Sequence, residues 1–202
     1  MLYIKAVEPR ALNVLKGLME LNDLQEFYLA GGTALALQIG HRLSLDLDLF
    51  SSKDFQIDSI SDLIRSRFQT KITGEFHNTL NLFLNEVKVD LITYNYPLIS
   101  EITREEGIRL ASIPDIAAMK LSALAQRGSR KDFYDIYFLL KDYSITQLLQ
   151  FHREKFSQTE QFHIVKSLTY FEDAEKEPDP ILIKTATWQK VKQELQNVVT
   201  TF

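Results

Sequence analysis

Leu12, Leu15, Leu18, Met19 and Leu21 recur mostly at helical spacing and predict a first helix over residues 10–22. The apolar run FYLAG at 27–31 stops at Gly31-Gly32, which predicts a buried strand ending in a tight turn. Ala34, Leu35 and Leu37 then carry a helix from 33 to 39, with Gly40 as its stop. The LDLDLF run at 45–50 alternates without exception. Leu45, Leu47 and Leu49 are expected on one face of a strand, and Asp46 and Asp48 on the other. A weak helix over 58–68 precedes three β-type runs at 70–76, 79–84 and 87–93, the last two joined by a tight turn at Asn85-Glu86. Asn81 and Asn85 interrupt the apolar pattern and leave the register there open. In the third run Val87, Val89 and Leu91 share one face, and Lys88, Asp90 and Ile92 the other.

From Pro114 the period changes. Ile116, Met119, Leu121, Leu124 and Ala125 predict a helix ending near Gly128, followed by helices over 130–142, 144–156, 158–170 and 188–199. The stretch 170–180 reads as an acidic, proline-containing loop. The pattern thus divides into an α/β part, 1–113, and an all-α part, 114–202.

Composition narrows the class. Of 202 residues, 45% are hydrophobic and 25% charged, which fits a globular chain and excludes a disordered or fibrous one. The absence of cysteine excludes disulfide scaffolds, Cys-ligated zinc, iron–sulfur clusters and thiol nucleophiles. No apolar run reaches the roughly 18 residues of a membrane span, and the first residues do not read as a signal peptide, so a soluble, cytoplasmic protein is expected. The net charge of −4 argues against a nucleic-acid footprint over the whole surface. Residues 120–131 nevertheless hold Lys120, Arg127, Arg130 and Lys131 and no acid. This island reads either as a solvated helix end or as a local contact for an RNA backbone.

Asp46 and Asp48 are the most informative pair. At i and i+2 of a strand their side chains point the same way, about 7 Å apart, and repel unless a cation lies between them. They either face water or bind a hard divalent ion, which needs one or two carboxylates plus substrate phosphates. Asp90 stands on the polar face of a second strand. If the two strands are neighbours, three carboxylates converge, an arrangement suited to phosphoryl or nucleotidyl transfer with two metals. Gly31-Gly32-Thr33 is either a plain turn or a phosphate cradle, in which glycine admits the backbone, a helix N-terminus faces the anion and Thr33 adds a hydroxyl. Arg42, beside His41, can hold a phosphate bidentately. His77, His152 and His163 lack metal-ligand spacing. Lys120 interrupts an apolar helix, either snorkelling or aimed into a site. Asp132 and Asp135 share a face of the next helix at i, i+3, and Asp132 also suits a helix-capping position.

These residues together resemble a known family. GGTALALQIGHRLSLDLDLF is similar to the first motif of the AbiEii/AbiGii nucleotidyltransferase toxins of abortive-infection, type IV toxin–antitoxin systems, with Thr33 in place of the more usual serine. KVDLIT resembles the family's third-carboxylate strand. KLSALAQRGSRKDFYDIYFLL resembles its later lysine and aspartate motifs and puts Lys120 and Asp132 at functional positions. The resemblance implies an α+β, polymerase-β-like nucleotidyltransferase fold, with a mixed β-sheet flanked by helices and a helical C-terminal part. It also implies two Mg²⁺ ions on Asp46, Asp48 and Asp90, and a nucleoside triphosphate at Gly31, Gly32, Thr33, Arg42 and Lys120. A hydroxyl acceptor such as tRNA or another RNA, a bacterial host and a cognate antitoxin follow from the same resemblance. Two alternatives stay open: a nucleotide-binding module without catalysis, and a kinase-like phosphotransferase toxin governed by a partner.

Overall fold

The computed structural model describes residues 1–157 and 161–202. The chain forms two units. The first comprises Met1–Gly40, Ser44–Tyr96 and Glu101–Ala111, and the second His41–Leu43, Pro97–Ser100 and Ser112–Phe202.

The first unit is built on a mixed seven-stranded sheet. Its strands are β1 (Tyr28–Ala30), β2 (Leu47–Ser51), β3 (Thr70–Phe76), β4 (Thr79–Leu84), β5 (Val87–Thr93), β6 (Thr103–Glu105) and β7 (Ile108–Leu110), in the spatial order β3-β4-β5-β2-β1-β7-β6. The pairs β2–β5 and β1–β7 are parallel and the remaining neighbours antiparallel. Three helices belong to this unit: α1 (Pro9–Met19), α2 (Gly31–Ile39) and α3 (Ile57–Arg65). Helix α2 buries four successive apolar residues, Ala34, Leu35, Ala36 and Leu37, and so turns apolar side chains in every direction, as a core helix does. Gly40 ends it in the left-handed conformation, with its amide donating to the Ala36 carbonyl.

Strands β3, β4 and β5 occupy the expected ranges, and Asn85-Glu86 turns with both φ angles positive (48° and 68°), as a type I′ hairpin requires. Two features differ from expectation. Strand β2 starts at Leu47, so Leu45 does not join the apolar face: it is 54% exposed, against 1% for Leu47 and Leu49. The segment before it is drawn aside because the Ser44 amide donates to the Ala6 carbonyl, and side-chain alternation holds only while the backbone stays extended. The β6–β7 hairpin, turning at Glu106 and Gly107 with positive φ, was not predicted. Strands of three residues are too short to display a period of two.

The second unit contains α4 (Ile113–Arg127), α5 (Arg130–Leu139), α6 (Ile145–Lys155), α7 (Gln161–Ser167) and α8 (Trp188–Thr201). Ser112 caps α4 by accepting from the Asp115 amide, and Gly128 ends it in the left-handed conformation. Ser144 and Gln147 form a reciprocal capping box at the start of α6. The helix expected over 158–170 is represented by the shorter α7; the first three of its expected residues lie outside the described ones. A buried Lys155–Asp115 pair at 2.7 Å also ties in the segment Pro97–Ser100, whose Pro97 carbonyl accepts from Lys155 and whose Ile99 and Ser100 amides donate to Asp115. Among the described residues no helix is long and apolar enough to cross a membrane.

Candidate active site

The parallel pairing of β2 and β5 puts Asp48 directly opposite Asp90, while the antiparallel pairing of β2 and β1 puts Asp48 opposite Ala30. Register partners share a face, so Asp48 and Asp90 project together from the same side of the sheet. Asp46 precedes β2 and is, like the other two, partly exposed. Among the described residues no three acidic or histidine side chains form a closed ligand set for a metal ion. Of the three expected carboxylates, Asp48 and Asp90 are direct register partners, and Asp46 lies two residues before Asp48, just outside the strand. That donor set suits Mg²⁺, which takes one or two carboxylates and completes its shell with substrate phosphates and water.

The turn between β1 and α2 is shaped around Asp48. Gly31 has φ +64°, and a Cβ placed on it would stand 2.2 Å from Asp48 Oδ2, so a side chain is excluded both by conformation and by space. Gly31→Ala is expected to destabilise the protein by about 1–3 kcal/mol and to push the Asp48 carboxylate away from the turn. Urea unfolding and a crystal structure of the variant check the two effects. An alanine tolerated without loss would mean that the close approach is incidental.

Thr33 has a different place from the one expected. Its hydroxyl is buried, shares a 2.8 Å hydrogen bond with Ser44 Oγ and donates to the Asp46 carbonyl. It thus braces the backbone that leads into the acidic strand. Two residues not singled out from the sequence frame Asp90. Asn81, opposite Asp90 on β4, donates through Nδ2 to Asp90 Oδ1 at 2.8 Å. Lys88 Nζ lies 3.0 Å from Asp90 Oδ2. The hydrogen bond to Asp90 raises the Lys88 pKa, burial works against it, and the charges of Asp90, Asp46 and Asp48 raise it further. All three acids therefore act on one cation position. The signal for Asn81 was present as a polar interruption of an apolar strand, on the same face as its partner.

The remaining candidates gather in the second unit. His41 Nε2 donates to Asp135 Oδ1 at 2.7 Å; Arg42 donates to the same carboxylate through Nε at 2.7 Å and Nη2 at 2.9 Å. Lys120 Nζ is 2.8 Å from Asp132 Oδ1 and 2.5 Å from Asp135 Oδ2, and Arg127 closes on Asp132 at 2.7 and 3.0 Å. The fork expected of Arg42 for a phosphate is thus occupied by Asp135. Burial alone would raise the Asp135 pKa, but Arg42 and Lys120 outweigh it and hold the carboxyl well below its usual range. Asp132 is lowered in the same way by Lys120 and Arg127, against its burial. Lys120 is raised, since Asp135 and Asp132 overcome its desolvation. His41 is lowered, chiefly by burial.

The cationic island at 120–131 is largely neutralised within the fold. Lys120 is 4% exposed, and Arg127 is paired with Asp132. Arg130 donates through Nε to Asp179 at 2.8 Å and through Nη1 to the Glu177 carbonyl at 2.7 Å, and lies 4.6 Å from the centre of the Trp188 ring. Local charge in the sequence misleads here because the acids that answer it come from 132, 135, 177 and 179. The acidic loop is the counter-charge of the island.

The family described as "Nucleotidyl transferase AbiEii toxin, Type IV TA system" matches residues 13–201. The chain belongs to that family. A protein similar to this AbiEii chain is aq_aa25 of Aquifex aeolicus (strain VF5), described as uncharacterized, which is 40% identical over 169 residues, 81% of this chain and 82% of that protein. Among solved structures, JHP933 from Helicobacter pylori is similar with a TM-score of 0.58 at 20% identity, over 96% of this chain and 92% of that one. MenT4, the nucleotidyltransferase toxin Rv2826c from Mycobacterium tuberculosis H37Rv, follows with a TM-score of 0.54 at 13% identity, over 96% and 86%. The AbiEii chain therefore has the α+β nucleotidyltransferase fold that its motifs implied, a mixed sheet accompanied by helices.

Proposed function

We propose that this AbiEii chain transfers a nucleoside monophosphate from a nucleoside triphosphate to a hydroxyl acceptor, with the Asp46–Asp48–Asp90 face as the reacting centre. The observation that carries the proposal is the register of β2 on β5, which sets Asp48 beside Asp90 with the Gly31 backbone against Asp48. In the reaction an acceptor oxygen forms a bond to the α-phosphorus, the bond from that phosphorus to the bridging oxygen breaks, and pyrophosphate leaves. Divalent ions, when bound, neutralise the triphosphate and favour loss of the acceptor hydroxyl's proton. Asp48 and Asp90 would hold them, with Asp46 completing the acidic face. Asn81 keeps Asp90 oriented. Gly31 and Gly32 open α2 and offer its free N–H groups to a phosphate. Thr33 holds the Asp46 backbone in place.

Lys120 enters the proposal through its charge. Asp132 and Asp135 hold its ammonium within the second unit, and its positive charge is proposed to offset the negative charge of the triphosphate. Arg42 serves this lysine indirectly, by neutralising Asp135. The acceptor is proposed to be RNA, tRNA included, and the physiological setting a toxin–antitoxin pair.

Incubation with α- and γ-labelled triphosphates, total RNA and Mg²⁺ tests the proposal. Label from the α-position is expected in acid-insoluble RNA, with pyrophosphate released. Transfer of the γ-label instead would make the protein a phosphotransferase. Binding of triphosphate without transfer of either label to any acceptor would leave a nucleotide-binding module.

A further inference from the structure

Lys88 stands two residues before Asp90 on β5 and shares its face. Its ammonium is 3.0 Å from Asp90 Oδ2, while Asn81 donates to the other oxygen, Oδ1. Both carboxylate oxygens of Asp90 are thus engaged, one by a neutral amide and one by a cation. The two partners differ in how firmly they are held. Asn81 is set opposite Asp90 by the β4–β5 ladder. The Lys88 side chain is 48% exposed, against 13% for Asp90. A lysine is a compact point charge on a flexible four-carbon stem, so it can leave the carboxylate by side-chain rotation alone, with no change in the strand.

The position also explains how the acidic face tolerates its own charge. Asp48 and Asp90 are direct cross-strand partners, and like charges in that relation are destabilising. A cation on Asp90 relieves this repulsion, which is the service a divalent ion would render. An ammonium and a divalent ion on the same carboxylate oxygen repel each other at close range, so the arrival of the ion disfavours the ammonium there. We propose that Lys88 is the resident counter-ion of the Asp48–Asp90 face, and that a divalent cation binding there must displace its ammonium into solvent while Asn81 keeps Asp90 in place. The inference rests on the assignment of that face as the metal site. It makes Lys88 a residue that sets metal affinity: occupation by the lysine weakens binding of the bare ion and favours an ion that arrives with the triphosphate, whose negative charge can receive the displaced ammonium.

The test is a titration of the full chain with Mn²⁺ alone, followed by the electron paramagnetic resonance signal of free Mn²⁺, with no nucleotide and no turnover. Lys88→Met and Lys88→Gln are both expected to tighten Mn²⁺ binding by about two- to fivefold, the range of a half-exposed ion pair. Lys88→Arg, which keeps the charge, should stay near the wild type. Asp48→Asn should weaken binding strongly. Unchanged or weaker binding in both neutral variants, with binding in the wild type that depends on Asp48, would overturn the role of Lys88 and leave the metal assignment standing. Absence of saturable Mn²⁺ binding in the wild type would overturn the metal assignment and the role of Lys88 with it. Thermal melts of each variant accompany the titration. The two neutral replacements differ in polarity, so a packing defect in one does not decide the outcome.

Discussion

Asp48→Asn is expected to lower nucleotidyl transfer by about 10²–10³-fold or more, the scale on which removal of one group that stabilises transition-state charge is felt, while leaving the metal-free protein at least as stable as the wild type. The two halves of this result have one cause. Asp48 faces Asp90 across the parallel β2–β5 pair, so its charge adds a repulsion that Lys88 on Asp90 offsets only in part, and favours the state that holds divalent cations. Asparagine keeps the size and removes the repulsion, but also removes half of the carboxylate pair. Single-turnover incorporation of α-labelled nucleotide, paired with urea unfolding in a chelator, measures both. A variant that retains turnover would remove Asp48 from the reacting centre. A variant that loses several kcal/mol without metal would make the pair a structural element, because only a carboxylate satisfied within the fold is missed when it goes.

The largest effect on stability is expected from Asp135→Ala. Asp135 is fully buried and answers Arg42, Lys120 and His41. Removing it leaves cations in the interior with one fewer counter-charge, and breaking a buried pair from one side costs about 3–5 kcal/mol. The pH dependence has a definite sign. The folded-state pKa of Asp135 is depressed, as is that of Asp132. Their stabilisation is therefore fully present above the unfolded carboxylate value of about 3.9, and is lost as pH falls through the lower folded values. His41 is also depressed, by burial, so its contribution erodes as pH drops below about 6.5, where the unfolded imidazole takes up a proton. Lys120 is raised and acts at the other end: its stabilisation is present below about 10.4 and declines as pH rises through the folded value. The difference in urea midpoint between wild type and Asp135→Ala should be large and level near neutrality and should narrow in acid, below about pH 4. A difference that stayed constant from neutrality to pH 2 would show that lost packing, not charge, is responsible.

The sequence carried the central elements of the fold because their signals are local. The alternation around Asp48 and Asp90 and the glycines at 31, 40 and 128 each depend on a few neighbouring residues. The hairpin strands at 70–76, 79–84 and 87–93 were legible because each is long enough to show its period. What escaped depends on partners distant in the chain. Asn81 reads as a defect in an apolar strand until β4 is laid on β5, where it becomes the partner of Asp90. Lys88 lay on the polar face, but nothing in its own surroundings says that its charge is answered by Asp90. Arg42 looked free for a phosphate because Asp135 lies 93 residues away. The island at 120–131 read as either a solvated helix end or an RNA contact, and not as an internal ion-pair cluster, because Glu177 and Asp179 follow it by almost fifty residues. Charge is the property least well read from a window of sequence, since any buried cation takes its counter-ion from wherever the fold supplies one.

Three residues, His41–Leu43, belong to the second unit although both their flanks belong to the first. Within that unit they supply the guanidinium and imidazole on Asp135, and the backbone pairing that joins Leu43 to Ile181 and His41 to Ile183. The helical unit is therefore not encoded by the C-terminal stretch alone. An exchange of gene segments between relatives at the boundary near residue 112 would deliver an Asp135 without the arginine that answers it, unless the donor and recipient agree at positions 41–43. Inheritance as a single block is thereby favoured over shuffling, and the tripeptide between the glycine turn and the acidic strand is constrained by a charge far down the chain.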